Sequence, residues 1–289
     1  MDSKSPSART VNALSFDVED YFQVAALAGA ISRDSWDTRE YRVEGNTHRI
    51  LRLLEDRGIR ATFFVLGWVA ERSPALVKSI ASAGHEVACH GFSHRLIYQQ
   101  SRDEFLQETA RAKHHLEDLI GQPVWGYRAA SFSITRDSLW ALDVLLELNF
   151  AYDSSIFPIH HDRYGIPGAS PAPGRVTAPS KRTLVEFPMS VARFFGIPIP
   201  VSGGGYFRVL PYSLTRAGLR QINQRAGHPF VFYLHPWELD PGQPRVPVGT
   251  LSRFRHYVNL DHCAERLARV LDDFAFAPLR EVLTAQGLL

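Results

Sequence analysis

Three carboxylates, Asp17, Glu19 and Asp20, close the mostly apolar stretch VNALSFDVEDY at residues 11–21. A short apolar run ending in acids reads as a buried strand that opens into a polar site. Carboxylates beside a core cost several kcal/mol unless something pairs with them. Two stretches offer partners: HGFSH, with His90 and His94, and FYLHPWE, with His235. Two imidazoles with three residues between them can face one metal ion from a tight loop. A carboxylate from the Asp17–Asp20 group would complete a set of two histidines and one acid, with positions left for water. That set suits catalytic zinc, with cobalt or nickel as alternatives. The bland reading is that the acids cap a following helix; the histidine-rich stretches favour the metal.

The elements that must position these groups alternate. After the Val11 strand, an irregular stretch precedes a helix that starts at Asn46 and stops at Gly58. Ala61–Gly67 reads as a second strand. Ser73 and Pro74 open a helix, and HEVACH is a third strand. Ser101 and Glu104 form a capping box for a longer helix ending near Gly121. VWGYR is a fourth strand, Thr135–Leu148 a helix, and FAYD a short strand. This order predicts an α/β fold of parallel strands with crossover helices. Asp17, His90, Arg128, Asp153 and His235 all fall where a predicted strand ends, the usual place of a barrel active site. Residues 157–205, dense in proline and glycine, read as long loops, and 251–289 as a C-terminal helical extension. The whole chain, 1–289, reads as one domain.

The chain is 45% hydrophobic and 21% charged, ordinary for a globular protein. Its net charge of +2, from 32 basic and 30 acidic residues, comes without long like-charge blocks. Nothing in that pattern suits nucleic acid or an anionic membrane. Cys89 and Cys263 form no disulfide framework and no CxxC, compatible with a reducing compartment. The N-terminal MDSKSPSART is polar, and no apolar run reaches the length of a membrane span. The expectation is a cytoplasmic protein without a transmembrane segment, for which a homo-oligomer is compatible.

SFDVED, GHEVACHGFSH, GYRAASFS, YDSSIFP and FYLHPWE occur in the order found in the polysaccharide deacetylases with the NodB homology domain. The chain resembles that family over nearly its whole length. HHDRYG, GGGYFR and SRFRHYVNLDH resemble the subfamily encoded beside exopolysaccharide and exosortase (PEP-CTERM) loci. The resemblance implies a distorted (β/α)7 barrel and a metal-dependent enzyme that hydrolyses N-acetyl groups on sugars. It implies Asp17 as catalytic base, with Arg128 holding it, and His235 as general acid oriented by Asp153. It implies His90 and His94 as metal ligands. The family usually has adjacent aspartates where this chain has Asp17-Val18, so the third ligand is assigned to Glu19, with Asp20 in reserve. The usual Arg-x-Pro is Arg128-Ala129-Ala130 here, which removes a residue that stiffens the loop.

Tyr206 and Trp237 are candidates to stack on sugar rings, and Phe207 reads as core. His160, His161, Asp162 and Tyr164 could line a substrate groove or form a solvated loop. The expected activity is removal of acetyl groups from an exopolysaccharide or its precursor. The alternatives are a small-molecule, cyclic-amide hydrolase of the same fold and a catalytically silent carbohydrate-binding protein.

Overall fold

The computed structural model describes residues 10–161 and 163–289. The N-terminal MDSKSPSAR and Asp162, a candidate for either a substrate groove or a solvated loop, lie outside them. The chain alternates strands and helices from its start: β1 (Val11–Val18), α1 (Val43–Glu55), β2 (Thr62–Val65), α2 (Gly67–Arg72), α3 (Pro74–Ser82) and β3 (Glu86–Cys89). α4 (Arg102–Ile120), β4 (Gly126–Tyr127), α5 (Trp140–Glu147) and β5 (Tyr152–Asp153) continue the pattern. The second half holds β6 (Gly174–Thr177), β7 (Thr183–Glu186), β8 (Val191–Phe194), β9 (Ile197–Pro200), α6 (Gly204–Val209) and α7 (Tyr212–Gln221). It ends with β10 (Val231–Leu234), α8 (Thr250–Tyr257), α9 (Cys263–Asp273), β11 (Ala275–Ala277) and α10 (Leu279–Ala285).

Seven strands run parallel in the order β10-β1-β2-β3-β4-β5-β7, with β6 antiparallel on the outer edge of β7. This is the α/β architecture expected, a distorted and open barrel. β1 lies between β10 and β2 and is buried from Asn12 onward, which explains its near-continuous apolar run. Between β7 and β10 the segment Ser190–Gly203 fills the gap. Ser190 Oγ accepts from Val231 N–H at 2.9 Å, and Ser202 O accepts from Tyr233 N–H at 2.7 Å. Only glycine fits at 203, where φ is 131° and a Cβ would meet the Tyr233 carbonyl oxygen at 1.8 Å.

Three boundaries differ from expectation. α1 begins at Val43, not Asn46, because the distant Asp20 carboxylate caps its first N–H groups. Residues 157–205 are not all loop: they contain β6 to β9. Pro198 and Pro200 are compatible with the two-stranded β8–β9 ribbon, whose outer edge needs no donors. The C-terminal stretch is not purely helical, since β11 joins the sheet beside the start of β1.

Candidate active site

The parallel sheet brings its C-terminal strand ends to one face. Asp17 and Glu19 lie at the end of β1, His90 and His94 follow β3, Arg128 follows β4, and His235 follows β10. There, Glu19, His90 and His94 form a buried group whose ligand atoms lie within 4.8 Å of one another. Glu19 Oε2 is 2.7 Å from His94 Nε2 and 3.9 Å from His90 Nε2. The shorter distance is that of a hydrogen bond, but the alignment is not, and this buried oxygen is left without one. His90 Nδ1 sits 2.8 Å from the Arg128 carbonyl oxygen. Donating there leaves the Nε2 lone pair facing Glu19. Burial lowers the His90 pKa to about 4, so its imidazole is neutral near pH 7. Burial pushes the Glu19 carboxyl up, but the neighbouring His94 and His235 outweigh it and hold it near 2. One anionic oxygen and two imidazole nitrogens in a buried cluster fit a divalent ion of the zinc type.

Asp20, the reserve ligand, faces away. Its Oδ2 accepts from the N–H groups of Arg42 and Val43 at 2.6 and 2.7 Å, and its Oδ1 from Tyr21 N–H at 2.8 Å. Burial raises its pKa to about 6 despite these donors. The helix-cap reading therefore holds for Asp20, while Glu19 joins the histidines.

Asp17 Oδ1 accepts from Arg128 Nη1 at 2.6 Å, and both side chains are buried. Arg128 is fixed on every side. It also donates to Ser15 Oγ, Ser154 O and Ser154 Oγ, and its guanidinium lies 4.1 Å from the Phe64 ring centroid. Without the proline, the loop after Arg128 is held by a hydrogen bond from Ala129 N–H to Ser155 Oγ at 2.8 Å. Ser131 and Phe132 follow with left-handed φ of 50° and 54°.

His235 Nε2 faces this group, 3.8 Å from Asp17 Oδ2 and 3.6 Å from Glu19 Oε1. Its other nitrogen, Nδ1, is 3.0 Å from Glu238 Oε2. Glu238 is buried and also accepts from Arg208 Nε at 2.7 Å. Burial alone would lower the His235 pKa, but the carboxylates of Glu19, Glu238 and Asp17 outweigh it and raise it to about 9. Asp153, expected to orient His235, does something else. It accepts from Ser155 Oγ at 2.6 Å and stands in register beside Glu186 of β7. Asp153 Oδ2 and Glu186 Oε2 are both buried without a donor, and burial pushes both carboxyls up. One proton shared by the pair satisfies both oxygens. The acid beside His235 Nδ1 is thus Glu238, three residues after it.

Trp237 is also not a sugar platform. It is 4% exposed, stacked between His235 and His256, and its Nε1–H points at Glu19 Oε1 at 3.3 Å. It backs the acid of the His–Glu cluster. His161 and Tyr164 stack at 3.8 Å, and Tyr164 packs against Phe157 and Phe132. Phe132 meets Tyr233, whose ring in turn meets His235 edge-on. These two therefore border the site through an aromatic wall. Tyr206 is half-buried on α6, and Phe207 is core, as expected. A cavity of about 550 Å3 lies at the opposite end of the sheet, lined by His85, Glu86, Trp125 and Arg280. The oxygens of Glu86 there are taken by Tyr152 and Thr62. It is remote from these groups.

Residues 33–149 match the family model of polysaccharide deacetylases, and residues 154–284 match a domain of unknown function, DUF3473. A peptidoglycan-N-acetylglucosamine deacetylase of Bacillus cereus is 36% identical over 75 residues, 26% of this chain and 27% of that protein. The chain spans between 16% and 51% of the length of these curated relatives. A protein of Mycobacterium smegmatis, solved as a candidate polysaccharide deacetylase, superposes with a TM-score of 0.63 at 21% identity, over 99% of this chain and 94% of that one. The allantoinase Puue superposes with a TM-score of 0.61 at 15% identity, again over 99% and 94%. These two likenesses show the fold. The match to polysaccharide deacetylases thus covers residues 33–149, the part that holds His90, His94 and Arg128.

Proposed function

Starting from that match, we propose that the chain is a metal-dependent hydrolase that removes N-acetyl groups from a sugar of a bacterial exopolysaccharide or its precursor. The observation that carries this reading is the meeting of three groups at one strand-end face. These are the Glu19–His90–His94 cluster, the Asp17–Arg128 pair, and His235, whose Nε2 faces both Asp17 and Glu19. The exopolysaccharide part rests on the motifs HHDRYG, GGGYFR and SRFRHYVNLDH.

A divalent ion held by Glu19, His90 and His94, zinc by its donor set, would polarise the acetamide carbonyl and activate water. Asp17 acts as general base. Arg128 occupies its Oδ1 and leaves Oδ2 to take a proton. His235, whose charged form the Glu238 and Asp17 carboxylates favour, donates from Nε2 to the leaving amine. Glu238 keeps the other proton on Nδ1 and so fixes which nitrogen reacts. Acetate release from a panel of N-acetyl sugars, measured with bound metal content, tests the reading. Release from cyclic amides alone would favour the small-molecule alternative, and binding without turnover the silent one.

A further inference from the structure

Asp153 and Glu186 are buried acids beside Arg128 that take no part in the steps above. They end β5 and β7, are partners in the parallel register, and are 0% and 5% exposed. Each has one oxygen engaged. Asp153 Oδ1 accepts from Ser155 Oγ at 2.6 Å, and Glu186 Oε1 accepts from Ile156 N–H at 2.9 Å. The other two oxygens, Asp153 Oδ2 and Glu186 Oε2, are buried without a donor. Two ionised oxygens side by side in a dry site repel and stay unsatisfied, whereas one proton between them makes a hydrogen bond. Arg128 is the charged group that faces both acids. Tyr127, beside Asp153 in register, has a phenol that burial keeps neutral. Gly174 of β6, beside Glu186 on its other side, brings no charge.

The pair also clamps the turn that holds Arg128. Ser154 takes two of the arginine's hydrogen bonds, O from Nε at 3.0 Å and Oγ from Nη2 at 2.9 Å. Ser154 Oγ in turn donates to Phe187 O at 2.8 Å, and Phe187 N–H donates to Asp153 O at 2.9 Å. Ser155 Oγ, which donates to Asp153, accepts from Ala129 N–H, the residue after the arginine. Glu186 fixes the far end of the turn at Ile156. Arg128 holds Asp17 Oδ1 from this frame. A shift of about 1 Å in such a frame is enough to slow a reaction by up to about a hundredfold.

We propose that Asp153 and Glu186 share one stored proton at neutral pH, and that Glu186, through the turn at 154–156, is a positioning residue that sets Arg128 against Asp17. The link to the base rests on the deacetylase reading; the stored proton does not.

The test uses the full-length, zinc-loaded chain. In the unfolded chain both acids are ionised at neutral pH, so unfolding releases the stored proton and stability falls as the pH rises. Glu186→Gln keeps the acceptor for Ile156 N–H and gives Asp153 Oδ2 a donor, but stores no proton. Urea unfolding of parent and variant at one zinc concentration compares their unfolding constants. The ratio of parent to variant should rise about tenfold per pH unit between about pH 6 and 8, the mark of one proton. A ratio flat with pH would overturn the stored proton. Glu186→Ala removes both partners at once, and its kcat should fall about ten- to a hundredfold with KM and zinc content held. Glu186→Gln should restore kcat to near that of the parent. Unchanged kcat in Glu186→Ala, or a fall in which KM or zinc content moves instead, would overturn the positioning role. If Glu186→Ala does not fold, Glu186→Gln decides that role too, since a kcat as low as that of Asp17→Asn would mean that shape and hydrogen bonding are not what Glu186 supplies. Acetate release from the unaltered chain is assayed separately. Its absence, with the pH-dependent ratio intact, would remove the deacetylase reading and leave the proton-sharing pair.

Discussion

His235 and Glu238 are joined twice. One carboxylate oxygen of Glu238 accepts from the His235 backbone N–H at 3.1 Å and lies 3.0 Å from His235 Nδ1. The 3-10 turn at Pro236–Leu239 makes this possible, because it folds the third residue back onto the first. Arg208 holds the other oxygen of Glu238 and ties it to the α8 carbonyls of Arg255 and His256. The proposed acid is thus oriented by its own turn rather than by a neighbouring strand.

This arrangement sets the alkaline limit of turnover. Against its burial, the Glu238 and Asp17 carboxylates favour the charged imidazole of His235, so activity falls on the alkaline side as that imidazole loses its proton. In Glu238→Gln a carboxylate that favours the charged form is gone, and the alkaline limb should move to lower pH. Asp153→Asn should leave that limb in place. Glu238→Gln also strands buried Arg208, so a loss of about 3–5 kcal/mol is expected in denaturant unfolding. The pH profile is therefore measured well below the melting temperature. A limb that moved with Asp153→Asn and not with Glu238→Gln would return the orienting role to Asp153.

Asp20 separates the capping role from the ligand role. Asp20→Ala removes the acceptor for Arg42 N–H and Val43 N–H at the start of α1. Caps of this kind are worth about 0.5–2 kcal/mol, and a buried one belongs at the upper end. Unfolding free energy should drop by about 2 kcal/mol while metal content stays near that of the parent. Loss of metal in Asp20→Ala would make Asp20, not Glu19, the acidic ligand.

Trp237→Phe keeps the ring between His235 and His256 but removes the donor to Glu19 Oε1. Losing such a support to a ligand costs about 10–100-fold in metal affinity. Competition with a chelator should show a loss of that order, with KM for oligosaccharides little changed. A raised KM with normal metal affinity would restore Trp237 to the sugar-binding surface.

Much of this arrangement was legible in the sequence because it is local. Strand ends follow from short apolar runs, so Asp17, His90, Arg128 and His235 could be assigned to one face without contacts. The Ser101–Glu104 capping box and Gly121 bounded α4 for the same reason. Partnerships across the fold were not legible. Nothing local says that Asp20 reaches forward to residues 42 and 43, or that Asp153 meets Glu186. Glu238 did carry a signal, an acid three residues after His235 with proline between, which is the spacing of a capped turn. β6 and β9 escaped because a glycine and two prolines mask these short edge strands.

Asp17 decides between a base and a fourth ligand. Its Oδ1 is engaged by Arg128 at 2.6 Å, and it stands outside the Glu19–His90–His94 cluster. Asparagine keeps the shape and can still accept from Arg128, but it cannot take a proton from water. Asp17→Asn should therefore hold its metal and lose about 10²–10⁴-fold in turnover, the usual size of a lost general base. His90→Ala should behave oppositely at the first step, losing metal because only two protein ligands remain. Elemental analysis of both variants beside acetate release separates the cases. Metal lost from Asp17→Asn would make Asp17 a ligand, and metal retained in His90→Ala would dissolve the proposed cluster.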